Sequence, residues 1–236
     1  MLVRLAAVMA LCLAATQNPN ASLKTFKNYN RTFQLELPDG WRQIAPTEAD
    51  TLSEEIEAPP DIRPTQPRVI YTVGPIDKWL DGKFDGPWLR MIEKKNAMYI
   101  GDDYQQLVRD TWRRQAEITG VTHQIGDIRI EKLGTQQVEC VVVVRTSTPP
   151  KPRAVTKSLD VHAPTANQHL IFSFGCPDHQ FDRWQPEFRR WLDTLTFARA
   201  PEPAETLSDR LWTPLLVGGA VGLVLLLLYK HTRAGR

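Results

Sequence analysis

Three groups of residues in this chain have the types and spacing to do chemistry. The first is Asp77-Lys-Trp-Leu-Asp-Gly-Lys-Phe-Asp-Gly-Pro-Trp88, which sets Trp79, Phe84 and Trp88 among Asp77, Asp81 and Asp85. Exposed aromatics beside carboxylates stack on sugars or anchor a partner protein. With its rings turned inward, the same segment is two Asp-Gly turns over a small apolar cluster. The sequence leaves both readings open, so Trp79, Asp81, Phe84, Asp85 and Trp88 stand as a candidate interaction loop. Asp81 and Asp85 could bind calcium, but the EF-hand spacing is absent.

The second group is Cys140 and Cys176, which fall on two expected strands of one sheet. In an oxidising compartment a disulfide between them would close a loop of about 36 residues, worth roughly 4 kcal/mol by loop entropy. Left free, the two would pack as small hydrophobes. They lack the C-x-x-C spacing of a redox pair. The third group is His162, His169, Cys176 and His179. Cys176-Pro-Asp-His179 has Cys-x-x-His spacing, but no second close pair completes a zinc set, so no metal is assigned. The chain has no nucleophile elbow, Walker loop, His-Glu-x-x-His or dinucleotide fingerprint. Asp102-Asp103 is explained by the start of a helix rather than by acid–base work. The expectation is a noncatalytic protein with no cofactor.

These residues must be positioned by alternating strand and helix signals. Phe33, Leu35 and Leu37 alternate with Gln34 and Glu36 in a first strand over 31–37, followed by the turn Pro38-Asp39-Gly40 and a short strand over 41–44. Another strand reads over 68–73. A helix is expected from Tyr104 to about Thr119, with Tyr104, Leu107, Val108, Trp112 and Ala116 on one stripe and Gly120 ending it. Strands at 127–133 and 136–146 form a hairpin around Gly134-Thr135, and strands at 156–163 and 167–176 follow. Val141 to Val144 is continuous β-branched sequence, the mark of a strand covered on both faces. A last helix over 178–195 gathers Phe181, Trp184, Phe188, Trp191, Leu192 and Leu195 on one side. The fold class is α+β: an antiparallel β-sheet with helices packed on its faces.

The two ends are apolar. Leu5 to Ala15 follows Arg4 and has the length of a signal-peptide core, so residues 1–15 are read as a signal peptide. Cys12 follows Leu11 rather than a small residue, which argues against lipidation. Leu211 to Tyr229 carries no charge and rises roughly 28 Å as a helix, enough to cross a bilayer. Lys230, Arg233 and Arg236 follow at once, and the positive-inside rule places this tail (230–236) in the cytoplasm. The body at 16–198 is then periplasmic or extracellular, held by a Pro/Glu linker at 199–210. Gly218 and Gly222 have the spacing of a helix-dimer motif, so a homodimer through the span is open. Pro201-Glu202-Pro203 before the span also resembles a PEP-type sorting tail, although the gap is long for one. Asn20-Ala-Ser22 and Asn30-Arg-Thr32 fit the N-glycosylation pattern.

The 236 residues include 29 Lys and Arg against 27 Asp and Glu. Arg4, Lys230, Arg233 and Arg236 lie at the ends, so the body itself is slightly acidic. That excludes a nucleic-acid binder working through a basic surface.

The stretch Phe33-Gln-Leu-Glu-Leu-Pro-Asp-Gly-Trp41 resembles the strand-Pro-x-Gly-Trp opening of PsbP-like domains. Leu170-Ile-Phe-Ser-Phe174 and the following helix, ending Trp191-Leu-Asp-Thr-Leu-Thr-Phe197, are similar to that family's last strand and helix. The resemblance covers about residues 25–198. It implies an α/β/α sandwich and a binding or assembly module, since the family includes assembly factors, photosystem accessory subunits and small-GTPase partners. It carries over no catalytic residue. The partners expected are the lipid bilayer and a protein.

Overall fold

Strand-forming sequence dominates the chain between its two apolar ends. The computed structural model describes residues 22–54, 70–81, 84, 86–95, 100–101, 103–150, 154–165 and 168–199. The expected signal peptide, most of the linker, the span with Gly218 and Gly222, the basic tail, Asn20, Asp85 and Asp102 lie outside these residues. Among the described residues no helix is long and apolar enough to cross a membrane.

The elements run β1 (Leu23–Lys27), β2 (Phe33–Pro38), β3 (Arg42–Gln43), α1 (Pro46–Glu54), β4 (Ile70–Gly74), α2 (Ile76–Leu80) and β5 (Trp88–Lys94). There follow α3 (Tyr104–Thr119), β6 (Thr122–Leu133), β7 (Val138–Thr148), β8 (Thr156–Pro164), β9 (His169–Pro177), α4 (Phe181–Asp193) and β10 (Thr196–Phe197). The fold is α+β with antiparallel pairing throughout. Among the described residues there are two sheets where the sequence suggested one. The larger has strand order β3-β4-β5-β9-β8-β7-β6, and the smaller β1-β2-β10.

The large sheet is covered on both faces. On one, Val73, Leu89, Met91, Phe172, Phe174 and Val161 meet Phe181, Trp184, Phe188, Trp191 and Leu192 of α4 and the inward Phe33, Leu35 and Leu37 of β2. Phe33 meets Phe172 edge-on at 4.9 Å, an arrangement favoured by the ring quadrupoles. On the other face, Tyr104 and Val108 of α3 pack on Ile128, Val141 and Val143. The run Val141–Val144 is therefore sandwiched, as its lack of alternation requires.

A polar joint ties the two sheets together. Glu93 of β5 is buried and accepts from Asn28 Nδ2 at 2.7 Å, Asn30 Nδ2 at 3.0 Å and the Tyr71 hydroxyl at 3.2 Å. Asn28 Oδ1 in turn accepts the backbone N–H groups of Thr32 and Phe33, which sets the β1–β2 turn. The Asn30 sequon is thus drawn into the fold: its amide holds Glu93, and the Thr32 hydroxyl accepts from Asn28.

Five elements were not expected: β1, α1, α2, β5 and β10. α1 and α2 have nine and five residues, too few turns for a period to stand out. β5 is buried along one face and half-buried along the other, and it carries Arg90 and Glu93, so it neither alternates cleanly nor reads as an apolar run. β6 begins five residues earlier than expected because a register shift between Ile125 and Ile128 breaks its alternation. Gly120 closes α3 in the left-handed region as expected, at φ +70°, while Asp103 makes no side-chain cap bond at the other end.

The β6–β7 turn clasps the end of α4. Gly134 has φ +72°, and a Cβ there would stand 2.3 Å from the Leu195 carbonyl oxygen. Thr135 N–H donates to that same oxygen at 2.9 Å. Gly134→Ala should therefore cost about 2 kcal/mol or more, from left-handed strain plus the displaced clasp. Urea unfolding measures it, and a loss within about 0.5 kcal/mol of zero would contradict the clasp.

Candidate functional site

Strand register assembles a row of side chains that the linear sequence scatters. Thr72 of β4 lies opposite Arg90 of β5, Arg90 opposite Ser173 of β9, Ser173 opposite Asp160 of β8, and Asp160 opposite Val143 of β7. Directly opposed residues share a face, so this polar row lies on the α3 side of the sheet. Ser158, Arg145 and Ser147 extend it at one side, and His162 and His169 at the other.

Arg145 and Asp160 form its centre. Arg145 Nε donates to Asp160 Oδ2 at 2.7 Å and Nη2 to Oδ1 at 3.3 Å, while Nη1 donates to Ser147 Oγ. Their side chains are 3 % and 0 % exposed. Burial alone would raise the Asp160 carboxyl; the charge and hydrogen bonds of Arg145 outweigh it and hold the group below the usual carboxylate range. The ring of Trp112, from α3, lies 4.0 Å from the guanidinium carbon. His123 meets Trp112 edge-on at 4.8 Å and contacts Ser147 Oγ through Nδ1 at 3.0 Å.

The other half of the row is a histidine pair. His162 Nδ1 stands 2.8 Å from the Tyr104 hydroxyl and 3.3 Å from His169 Nε2. With Tyr104 donating to Nδ1, the ring hydrogen sits on Nε2, a buried atom without a hydrogen-bond partner among the described residues. Desolvation pushes His162 down to about 4 and His169 to about 3, so both are neutral near pH 7. Burial also raises the Tyr104 hydroxyl above its ordinary value. Such groups are held from water and pair with one another. Their chemistry is to fasten α3 to the sheet through Tyr104 and Trp112.

The residues singled out from the sequence are distributed differently. Trp79 and Trp88 are 1 % and 2 % exposed and form a satellite core with Ile44, Leu52 and Ile76, against which Phe84 packs. The Trp88 ring lies so close over Gly175 that a Cβ there would come within 2.4 Å of it. Rings buried this way offer no face to a sugar, and of the two readings of this loop the inward one describes its tryptophans. Asp81 is exposed at the end of α2, and Asp77 pairs with Arg42 at 2.7 Å, which also grips Glu48 of α1.

Cys140 and Cys176 are separate buried thiols, which corrects the disulfide expectation. The register explains why. Cys176 lies opposite Lys157 on β8, and Lys157 opposite Thr146 on β7, six residues along from Cys140. The two are therefore about 20 Å apart along the strands and about 10 Å across them, far outside bridging range. Desolvation raises both thiols to about 12, with Glu131 adding to it for Cys140 and Asp178 for Cys176, so neither is a ready thiolate at neutral pH. Of the histidine–cysteine set, only His162 and His169 meet; Cys176 is at the other end of the sheet and His179 is exposed. Among the described residues no three His, Cys, Asp or Glu side chains are grouped to hold a metal ion.

Arg145 and Asp160 were not foreseen, although a signal existed. Arg145 continues the parity of Val141 and Val143, and Asp160 sits between Leu159 and Val161. A charge at a core position of a strand implies an opposite charge across the ladder.

Neither a known family model nor a curated protein sequence matches this chain. Solved structures do. The fold is similar to cyanobacterial PsbP (CyanoP) from Synechocystis sp. PCC 6803, with a TM-score of 0.53 at 9% identity over 75% of this chain and 93% of that one. A protein from Bacteroides thetaiotaomicron gives 0.44 at 16% identity, over 75% and 48% of the two chains. A Pseudomonas aeruginosa protein of unknown function, described as a putative regulator, gives 0.37 at 10% identity, over 78% and 100%. The first likeness establishes a PsbP-like fold; the other two are too distant to bear on the argument.

Arg145→Met leaves Asp160 buried and uncompensated and should cost about 3–5 kcal/mol, while Arg145→Met with Asp160→Leu should recover most of it. Urea melts of both variants check this, and equal losses would refute the pairing. Acid should loosen the same region. His162 and His169 have folded values depressed below an unfolded value near 6.5, so their contribution is whole above about pH 6.5. It is lost as pH falls toward about 4 and about 3, where the unfolded chain has already bound its protons. Melting temperature should therefore fall between pH 6.5 and 4, and His162→Phe with His169→Leu should flatten that fall.

Proposed function

We propose that this chain is an exported, single-pass membrane protein whose PsbP-like domain acts as a noncatalytic binding or complex-assembly module at the outer face of the membrane. The observation that carries the reading is the uncharged stretch Leu211–Tyr229 followed by Lys230, Arg233 and Arg236, in a chain that opens with an apolar signal-like segment. Twelve linker residues, rich in Pro and Glu, keep the domain within about 37 Å of the bilayer. The charged and titratable groups inside the described domain pair with one another: Arg145 with Asp160, His162 with His169 and Tyr104, Glu93 with Asn28 and Asn30. Their chemistry is committed to the fold, which favours work through the outer surface. An open groove of about 320 Å³, lined by Thr25, Gln34, Glu36, Thr135, Asp193 and Thr196, is part of that surface.

Membrane fractionation of cells producing the full chain should find it in the membrane pellet after alkaline carbonate washing. External protease should remove the domain while sparing a tag placed after Arg236. Affinity capture from detergent-solubilised membranes should then recover a stable protein partner. A soluble chain overturns the anchor, and repeated capture without a partner overturns the assembly role.

A further inference from the structure

β6 forms one side of the large sheet and, among the described residues, pairs with β7 alone. Its other edge presents backbone donors and acceptors, which in most proteins are blunted by bulges and charges because they template pairing with another chain. The register shift between Ile125 and Ile128 does this for the first half of the strand. From Ile128 to Leu133 the register is unbroken. In that half Ile130 is 57 % exposed, although Val141, directly across from it, is buried. α3, on the same face, also leaves Leu107 and Ile118 exposed.

The charges of this segment are self-complementary. Asp127, Arg129, Glu131 and Lys132 run minus, plus, minus, plus, with isoleucines at 128 and 130. We propose that the partner of this edge is a second copy of the chain, with β6 antiparallel to β6 about a two-fold axis through Ile130. That axis sets Ile130 against Ile130 and places Arg129 opposite Glu131 twice. Both charges lie on the α4 face, where Glu131 already holds Arg189. Arg129 meets its near neighbour Asp127 at 2.6 Å in a pair that is mostly exposed, and such a pair contributes little on its own. Other axes fit worse. One through Ile128 leaves Ile130 facing Gly126 and runs the partner strand across the register shift. One through Lys132 opposes two lysines.

Five paired residues, 128–132, bury much less than the roughly 1,200–2,000 Å² of a stable free-standing interface. The pairing therefore depends on both copies being concentrated in the plane of a membrane, and so rests on the anchor proposed above. The test uses the full chain in membranes, with Ile130→Cys or Lys132→Cys and mild oxidation. Ile130→Cys should give a disulfide-linked dimer. Lys132→Cys should not, because its two copies would sit about 13 Å apart along the strands. The unaltered chain, whose Cys140 and Cys176 are buried, is the background control. Arg129→Glu should reduce the Ile130→Cys dimer by about fivefold. An anchored chain with no Ile130→Cys dimer, or with Lys132→Cys linking equally well, overturns the pairing alone. A chain recovered in the soluble fraction overturns the anchor, and this pairing with it.

Discussion

A carboxylate without solvent contact is the constraint on which the large sheet depends. Asp160 sits in the middle of seven strands, and only a charge within hydrogen-bond reach makes that position tolerable. Arg145 supplies it from the adjacent strand, in a nearly bidentate geometry that also fixes how β7 and β8 are registered. Trp112 then covers the guanidinium, so the helix above is located by the ion pair below it. A slip of one residue would turn Asp160 toward Phe172 and Phe174 and strand Arg145 as well. Hydrophobic burial makes the sheet stable, and the ion pair makes its register unique.

The same logic recurs where the two sheets meet. Glu93 is buried at the margin of the main core and takes three donors from Asn28, Asn30 and Tyr71. The small sheet has little apolar surface of its own beyond β2, and β10 contributes two residues. Directional bonds to Glu93, with the Gly134 clasp on Leu195, orient it against the large sheet. Both polar clusters therefore hold layers in place, and each does so with groups that could be mistaken for catalytic ones in isolation.

The proposed function rests on this division of labour. A domain whose buried carboxylates, imidazoles and thiols are paired or raised out of reactivity presents its surface and its edges to the outside. The PsbP-like fold is compatible with the proposed binding role, and under that proposal the uncharged stretch 211–229 would hold the domain at a membrane. Among the described residues, the edge of β6 brings together strand backbone without a neighbouring strand, an exposed isoleucine and alternating charge in one short segment.

The sequence determined what repeats at short range. Alternation in β2, the unbroken valines of β7, the aromatic stripe of α4 and the glycine ending α3 are local patterns whose period is imposed by backbone geometry. The α+β class and antiparallel pairing follow from them, and the uncharged tail is likewise legible without a fold. Tertiary structure decided everything that depends on which strands become neighbours. β9 inserts between β5 and β8 in a register that leaves Cys176 six residues along the strands from Cys140, so the two thiols lie apart instead of bridged. That insertion also brings Ser173 beside Asp160 and Trp88 over Gly175, so the tryptophans of a loop that the sequence left open to either reading form a satellite core. Neighbour choice is set by the total burial of both sheet faces, a sum over residues far apart in the chain, and no local window of sequence contains it.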